Sequence, residues 1–114
     1  MKIKKRVELV GEYINDGNAV GVKFYPVITV IDGAPNFALR LFEVSPNGNT
    51  PYHSHEWEHE VYVIDGNGFI IGENKKLKIE KDDYLFIEPT EIHQFLAGPK
   101  GLKWICVVPN KGQS

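Results

Sequence analysis

The sequence has little of what would place it outside the ordinary globular class. It carries one cysteine, Cys106, so no disulfide can close within the chain, and a reducing cytoplasm is the expected home. No apolar run approaches the ~20 residues that a membrane-spanning helix needs. No window of about 12 residues repeats apolar side chains at helical spacing. A net charge of −2 gives no general attraction to nucleic acid or to an anionic membrane, so neither is an expected partner. Met1-Lys-Ile-Lys-Lys-Arg6 has the charge of a secretory leader's start, but no apolar stretch follows, and Glu8 and Glu12 interrupt it. A solvated basic arm or an edge strand is the expectation there. At 114 residues, 42% apolar and 25% charged, the chain is expected to form one domain spanning 1–114.

What is present is turn chemistry spread evenly. Eleven glycines and seven prolines separate short runs rich in β-branched and aromatic residues. The runs predict strands at Arg6–Val10, Val20–Phe24, Val27–Ile31, Phe37–Val44, His59–Ile64, Phe69–Ile71, Lys76–Ile79, Tyr84–Ile87, His93–Leu96 and Leu102–Val108. Breaks are expected at 15–18, 32–35, 45–49, 65–68, 72–74 and 98–101, with Asp65-Gly-Asn-Gly68 read as a hairpin turn. The pattern is all-β, either two packed sheets or a jelly roll.

Three of the four histidines, His53, His55 and His59, fall within Pro51-Tyr-His-Ser-His-Glu-Trp-Glu-His59, and the fourth, His93, follows Phe86-Ile-Glu-Pro-Thr-Glu-Ile92. A strand has period two, so His53 and His55 share a side. Neutral imidazoles converging from several strands suit a transition metal such as Fe, Ni, Cu, Zn or Mn. His55-Glu-Trp-Glu-His59 also satisfies the zinc-protease pattern His-Glu-x-x-His. That chemistry requires a helix, and Pro51 before the stretch and the β-rich run after it argue against one.

His53-x-His55-x3-His59-x6-Gly66 resembles the first motif of the cupins, and Asp82-x6-Pro89-x3-His93 their second. The chain is similar to small single-domain cupins that hold manganese with four histidines. This resemblance implies a double-stranded β-helix, or small jelly-roll barrel, with a barrel core over about 30–109 and N-terminal strands over 1–29. It implies a divalent metal on His53, His55, His59 and His93, manganese first and then iron, with zinc, nickel or copper also compatible. His59 stands where the motif usually has glutamate. Asn47, Asp82 and Thr90 replace usual glycines, Glu88 a proline and Ala97 an asparagine, which bears on loop geometry rather than on the ligand set.

Period two carries the reading outward from the ligands. With His59 inward, Val61 and Val63 follow it and Glu60 faces away; with His93 inward, so does Phe95. Trp104, Cys106 and Val108 share one face of the last strand, and Ile105 and Val107 the other. That second apolar face is expected to pair in a homodimer, or to lie under the chain's own N-terminal segment. The expected pocket comprises Arg40, Phe95, Trp104, Cys106 and Val108. Arg40 either orients a substrate carboxylate or lies on a half-exposed strand, and Cys106 either lines the pocket or fills core. Trp57 and Glu58 are expected at the lip, with Glu56, Glu58 and Glu60 either solvated or accepting hydrogen bonds from ligand imidazoles. No catalytic acid or base is identifiable. Two functions follow for a protein whose partner is a small molecule: an oxidoreductase of dioxygenase type, or a non-catalytic module that binds a metal or a dicarboxylate.

Overall fold

The computed structural model describes residues 1–112 and is built from seven antiparallel strands. They are β1 (Glu12–Ile14), β2 (Val20–Ile28), β3 (Phe37–Asn49), β4 (His59–Gly72), β5 (Lys75–Glu80), β6 (Tyr84–Ile87) and β7 (Gln94–Pro109). Hydrogen bonding runs in the order β1-β2-β3-β7-β4-β5, and β6 pairs with the first half of β4. The architecture is the all-β jelly-roll barrel expected from the alternation of short apolar runs and turns.

The long strands bend by bulging rather than by reversing. Asp65-Gly-Asn-Gly68 is therefore not the hairpin expected: β4 runs through it from His59 to Gly72, and the true turn is at Glu73-Asn74. Gly66 pairs with Leu102 and Gly68 with Ala97, so the Gly98–Gly101 segment swells out of β7 between those pairs without ending the strand. The two glycines serve close approach: a Cβ on Gly66 would collide with the Gly101 carbonyl, and one on Gly68 with that of Leu96. β3 likewise passes through Ser45–Asn49, where its pairing with β7 slips between Val44 and Asn49.

Two other expectations fail locally. Arg6–Glu8 is a 3-10 turn, closed by the Glu8 side chain accepting from the Lys5 backbone N–H at 3.1 Å. Val30–Asp32 is another, with Thr29 as its N-cap, so the strand read at Val27–Ile31 ends at Ile28 as part of β2. β1 was not expected at all.

One buried cluster fills the barrel, built from Val22, Ala38, Val44, Val61, Val63, Ile79, Ile87, Phe95, Ala97, Leu102, Trp104, Cys106 and Val108. Trp104, Cys106 and Val108 are buried while Ile105 and Val107 are half-buried, as period two requires. Tyr25 and Leu41 are buried outside that cluster. Over Tyr25 lies the N-terminal segment: Gly11 packs on its ring, and the Arg6 guanidinium stands 4.4 Å from the ring centroid. No helix among the described residues is long and apolar enough to cross a membrane.

Candidate metal centre

Two segments distant in sequence are sewn together to bring the histidines into one place. His53 and His93 exchange backbone hydrogen bonds, at 3.1 Å from the His53 N–H and 2.9 Å from the His93 N–H. On one side of that bridge the Phe95 N–H donates to the Thr50 hydroxyl at 2.8 Å, and the Thr50 N–H to the Phe95 carbonyl at 3.0 Å. On the other, the Thr90 N–H donates to the His55 carbonyl at 2.6 Å. β4 supplies His59 at its first residue, and its pairing with β6 sets His59 opposite Ile87.

The four imidazoles form a compact cluster. Ring centroids lie 4.3 Å apart for His53–His55, 4.9 Å for His53–His93, 5.5 Å for His55–His93, 5.3 Å for His55–His59 and 5.0 Å for His59–His93. Ring nitrogens of His53, His55 and His93 lie within 4.8 Å of one another. His59 borders this trio rather than belonging to it at that spacing, and its Nε2 is buried with no hydrogen-bond partner. An unpartnered buried nitrogen is costly in a folded protein unless something else satisfies it.

The electrostatics keep these rings neutral. Burial pushes His59 down to about 3 and His55 to about 4, with neighbouring histidines and the Arg40 cation adding to the effect. His53 and His93 are lowered too, chiefly by burial; Asp16 partly offsets the shift at His53, and the Glu91 carbonyl does so at His93. A neutral imidazole with a bare nitrogen is the form that binds a metal. His93 has its tautomer fixed, because its Nδ1 lies 2.9 Å from the Glu91 carbonyl, which can only accept. The donor set and its neutrality therefore fit a divalent transition metal.

The cluster opens into a cavity of about 640 Å³, within the range of small-molecule sites. Its walls include Arg40, Phe95, Trp104 and Cys106; Val108 is buried on the same face of β7 but belongs to the core and does not reach the cavity. One wall is an aromatic stack, with Phe42–Trp104 centroids at 5.2 Å and Phe95–Trp104 at 4.0 Å. Arg40 lies 5.2 Å from the Phe42 ring centroid, and its Nε is buried without a partner. Trp57 stacks on His55 at 4.7 Å and 6°, so it is part of the lip, while Glu56, Glu58 and Glu60 are exposed. The groups that touch the Nδ1 atoms of these imidazoles are instead the Glu91 carbonyl at His93 and, at 3.1 Å from His59 Nδ1, the Cys106 sulfur.

Sequence reasoning missed Phe42, Thr50 and Asp16. Phe42 was within reach, since it lies two residues from Arg40 on the same strand face. Thr50 and the rim residue Asp16 left no comparable signal.

Comparison with known proteins gives these features a context. No curated protein matches the chain. Among solved structures, the polyketide cyclase RemF from Streptomyces resistomycificus is 34% identical, with 96% of this chain and 80% of that one covered and a TM-score of 0.90. A predicted oxalate decarboxylase from Thermotoga maritima is 20% identical, over 95% of this chain and 98% of that one, with a TM-score of 0.82. KdgF from Halomonas sp. is 15% identical, over 93% and 92%, with a TM-score of 0.78. The last two likenesses concern the fold alone. The cupin domain model matches residues 40–108, from Arg40 on β3 to Val108 on β7 and so across all four histidines; the chain belongs to the cupin domain family.

Proposed function

We propose that the protein is a metal-dependent enzyme acting on a small, enolisable carbonyl compound, with His53, His55, His59 and His93 as the metal ligands. The observation that carries this reading is the convergence of four neutral imidazoles, one with a buried unpartnered Nε2, at a cavity large enough for a small organic molecule. Manganese is the first candidate and iron the second, by resemblance to the four-histidine cupins; nitrogen donors alone leave zinc, nickel and copper compatible. Such an ion, when bound, supplies Lewis acidity toward a carbonyl or enolate oxygen.

The remaining tasks fall to the chain's own side chains. Arg40, which lines the cavity and whose Nε has no partner, anchors an anionic or carbonyl oxygen. Phe42, Phe95 and Trp104 favour a flat, unsaturated substrate and exclude water from it. Asp16 is the carboxylate on the wall and the candidate for moving a proton at the rim.

For the reaction itself, ring closure by carbon–carbon bond formation in a polycarbonyl chain is the leading class. Its support is the 34% identity, across nearly the whole chain, to a protein described as a polyketide cyclase. Oxidoreductase chemistry of dioxygenase type is the second reading, favoured by an all-nitrogen donor set that suits a redox-active manganese or iron. We also propose a homodimer, supported by the half-buried Ile105 and Val107 and by the exposed apolar side chains of the N-terminal arm.

The deciding experiment incubates metal-loaded protein with small polyketones and diketones, with and without oxygen, and follows the products by mass spectrometry. A product lighter by one water per ring, formed without oxygen and lost in His53→Ala, is the expected result. Products that gain oxygen atoms only in air would establish the dioxygenase reading. Tight binding of a dicarboxylate, with no turnover under any oxidant or metal, would leave a non-catalytic binding module.

A further inference from the structure

Cys106 occupies the place where a ligating histidine needs an acceptor. The register of β7 sets it opposite Arg40 of β3 on one side and Val61 of β4 on the other. His59 lies two residues before Val61 and so on the same face of β4, and its ring reaches across to the sulfur. His59 Nδ1 stands 3.1 Å from Cys106 Sγ, with both residues buried, and Arg40 Nη2 stands 3.5 Å from the same sulfur and 3.4 Å from His59 Nδ1.

Proton accounting then separates the two tautomers. Arg40 can only donate. If Nδ1 carries the proton, His59 and Arg40 both donate to the sulfur, and Nε2 is a bare lone pair among the other imidazoles. If Nε2 carries it, Nδ1 accepts from Arg40 at the longer 3.4 Å, but a buried N–H is left without a partner, since Nε2 contacts no acceptor among the described residues. The thiol's own hydrogen can go to the Val107 carbonyl at 4.0 Å, which leaves the sulfur lone pairs to accept. His93 is held in the equivalent tautomer by the Glu91 carbonyl.

We propose that Cys106 is a positioning residue whose sulfur accepts the Nδ1 proton of His59, so that Nε2 of this fourth histidine is presented bare to the cluster, with Arg40 holding the sulfur from the second side. The proposal rests on the metal reading above and gives the single cysteine a role in it. A sulfur here does for His59 what a backbone carbonyl does for His93.

The test has two readouts. In metal-free protein labelled with 15N-histidine at neutral pH, the ring nitrogens of His59 should report a protonated Nδ1 and a bare Nε2. Competition of Zn2+ against a chromogenic chelator should show Cys106→Val weakening Zn2+ binding by about 10- to 100-fold, and Cys106→Ser, which restores an acceptor, recovering most of that loss. A wild-type His59 protonated at Nε2 would overturn the proposal, as would a folded Cys106→Val that binds Zn2+ within about twofold of wild type. Should Cys106→Val fail to fold, the wild-type tautomer and the Cys106→Ser affinity decide alone. Failure of the wild type to bind Zn2+ at all would sink the metal reading, and is distinguishable because the tautomer is read without metal.

Discussion

The barrel wall that bears the histidines and the N-terminal arm are tied to the molecule by opposite means. At the wall, the backbone carries the ties: the His53–His93 bridge and the Thr90–His55 link are main-chain pairs across long sequence separations, and the Thr50–Phe95 brace adds the Thr50 hydroxyl to one. In the arm, cations reach the body and apolar groups face water. Lys2 and Lys4 meet Asp32 and nearby carbonyls, Arg6 meets Glu43 at 2.8 Å, and Met1, Ile3, Val7 and Val10 are exposed. Buried backbone pairing is specific and expensive to break, whereas exposed ion pairs contribute about 0–1 kcal/mol each and weaken with salt. The wall can therefore hold side chains in costly states, such as a bare buried nitrogen, while the arm cannot.

The sharpest way to break the wall is to remove one of the proposed ligands. His59→Ala and His93→Ala should each abolish stoichiometric metal in freshly purified protein, measured by elemental analysis. Glu60→Ala should keep metal affinity within about tenfold, because Glu60 is the outward neighbour of an inward residue on β4. The reverse order would mean that a carboxylate, not His59, completes the site.

Acid should act next, and selectively on the wall. The folded protein holds all four histidines below their ordinary value of 6.5, with His55 near 4 and His59 near 3. Between those values and about 6.5 the unfolded chain binds more protons than the folded one, so stability falls as the pH drops through that window. The metal-free protein should show a melting temperature that declines from pH 7 toward pH 4, and His59→Gln should flatten the decline. The arm holds no histidine, so its removal should leave the slope between pH 7 and about 5 unchanged; nearer pH 4 it should alter the curve, because Lys4 and Arg6 help hold the Asp32 and Glu43 carboxyls below their ordinary values.

How far the sequence made this visible differs between the two regions as well. The histidine cluster was legible because most of its spacing is local and period two sets its side: His59 inward and Glu60 outward follow from adjacency alone. The Thr50 brace was not legible, since its partner Phe95 is 45 residues away and nothing near Thr50 announces it. Asp65-Gly-Asn-Gly68 misled because a turn and a strand crossing ask for the same residues: a hairpin needs positive φ, a crossing needs a missing Cβ, and glycine provides both. In the arm, Arg6–Val10 has strand-like composition, but with no neighbour to pair it the local Glu8 cap decides the conformation. The usual glycine positions at Asn47, Asp82 and Thr90 give the opposite lesson. All three keep positive φ, at 63°, 75° and 67°, so the loops retain the backbone that glycine would adopt even with side chains in place.

That last feature gives the smallest of the expected effects and the finest comparison of wall with arm. Asn and Asp tolerate the left-handed region, but a β-branched threonine does not, and Thr90 sits there while its N–H holds the His55 carbonyl. The wall stores that strain because the braces on either side of it fix the loop. Thr90→Gly should relieve it and stabilise the protein by about 1 kcal/mol, after allowing for the extra freedom glycine gains when unfolded. Asn47→Gly and Asp82→Gly should change stability by less. Arg6→Ala, which cuts the arm's tie to Glu43, should cost no more than about 1 kcal/mol and should cost less at high salt. Chemical denaturation of the four variants at low and high salt measures both. If Thr90→Gly destabilises, the strain at Thr90 is not a cost the wall bears, and the threonine side chain itself must be holding the loop that positions His55.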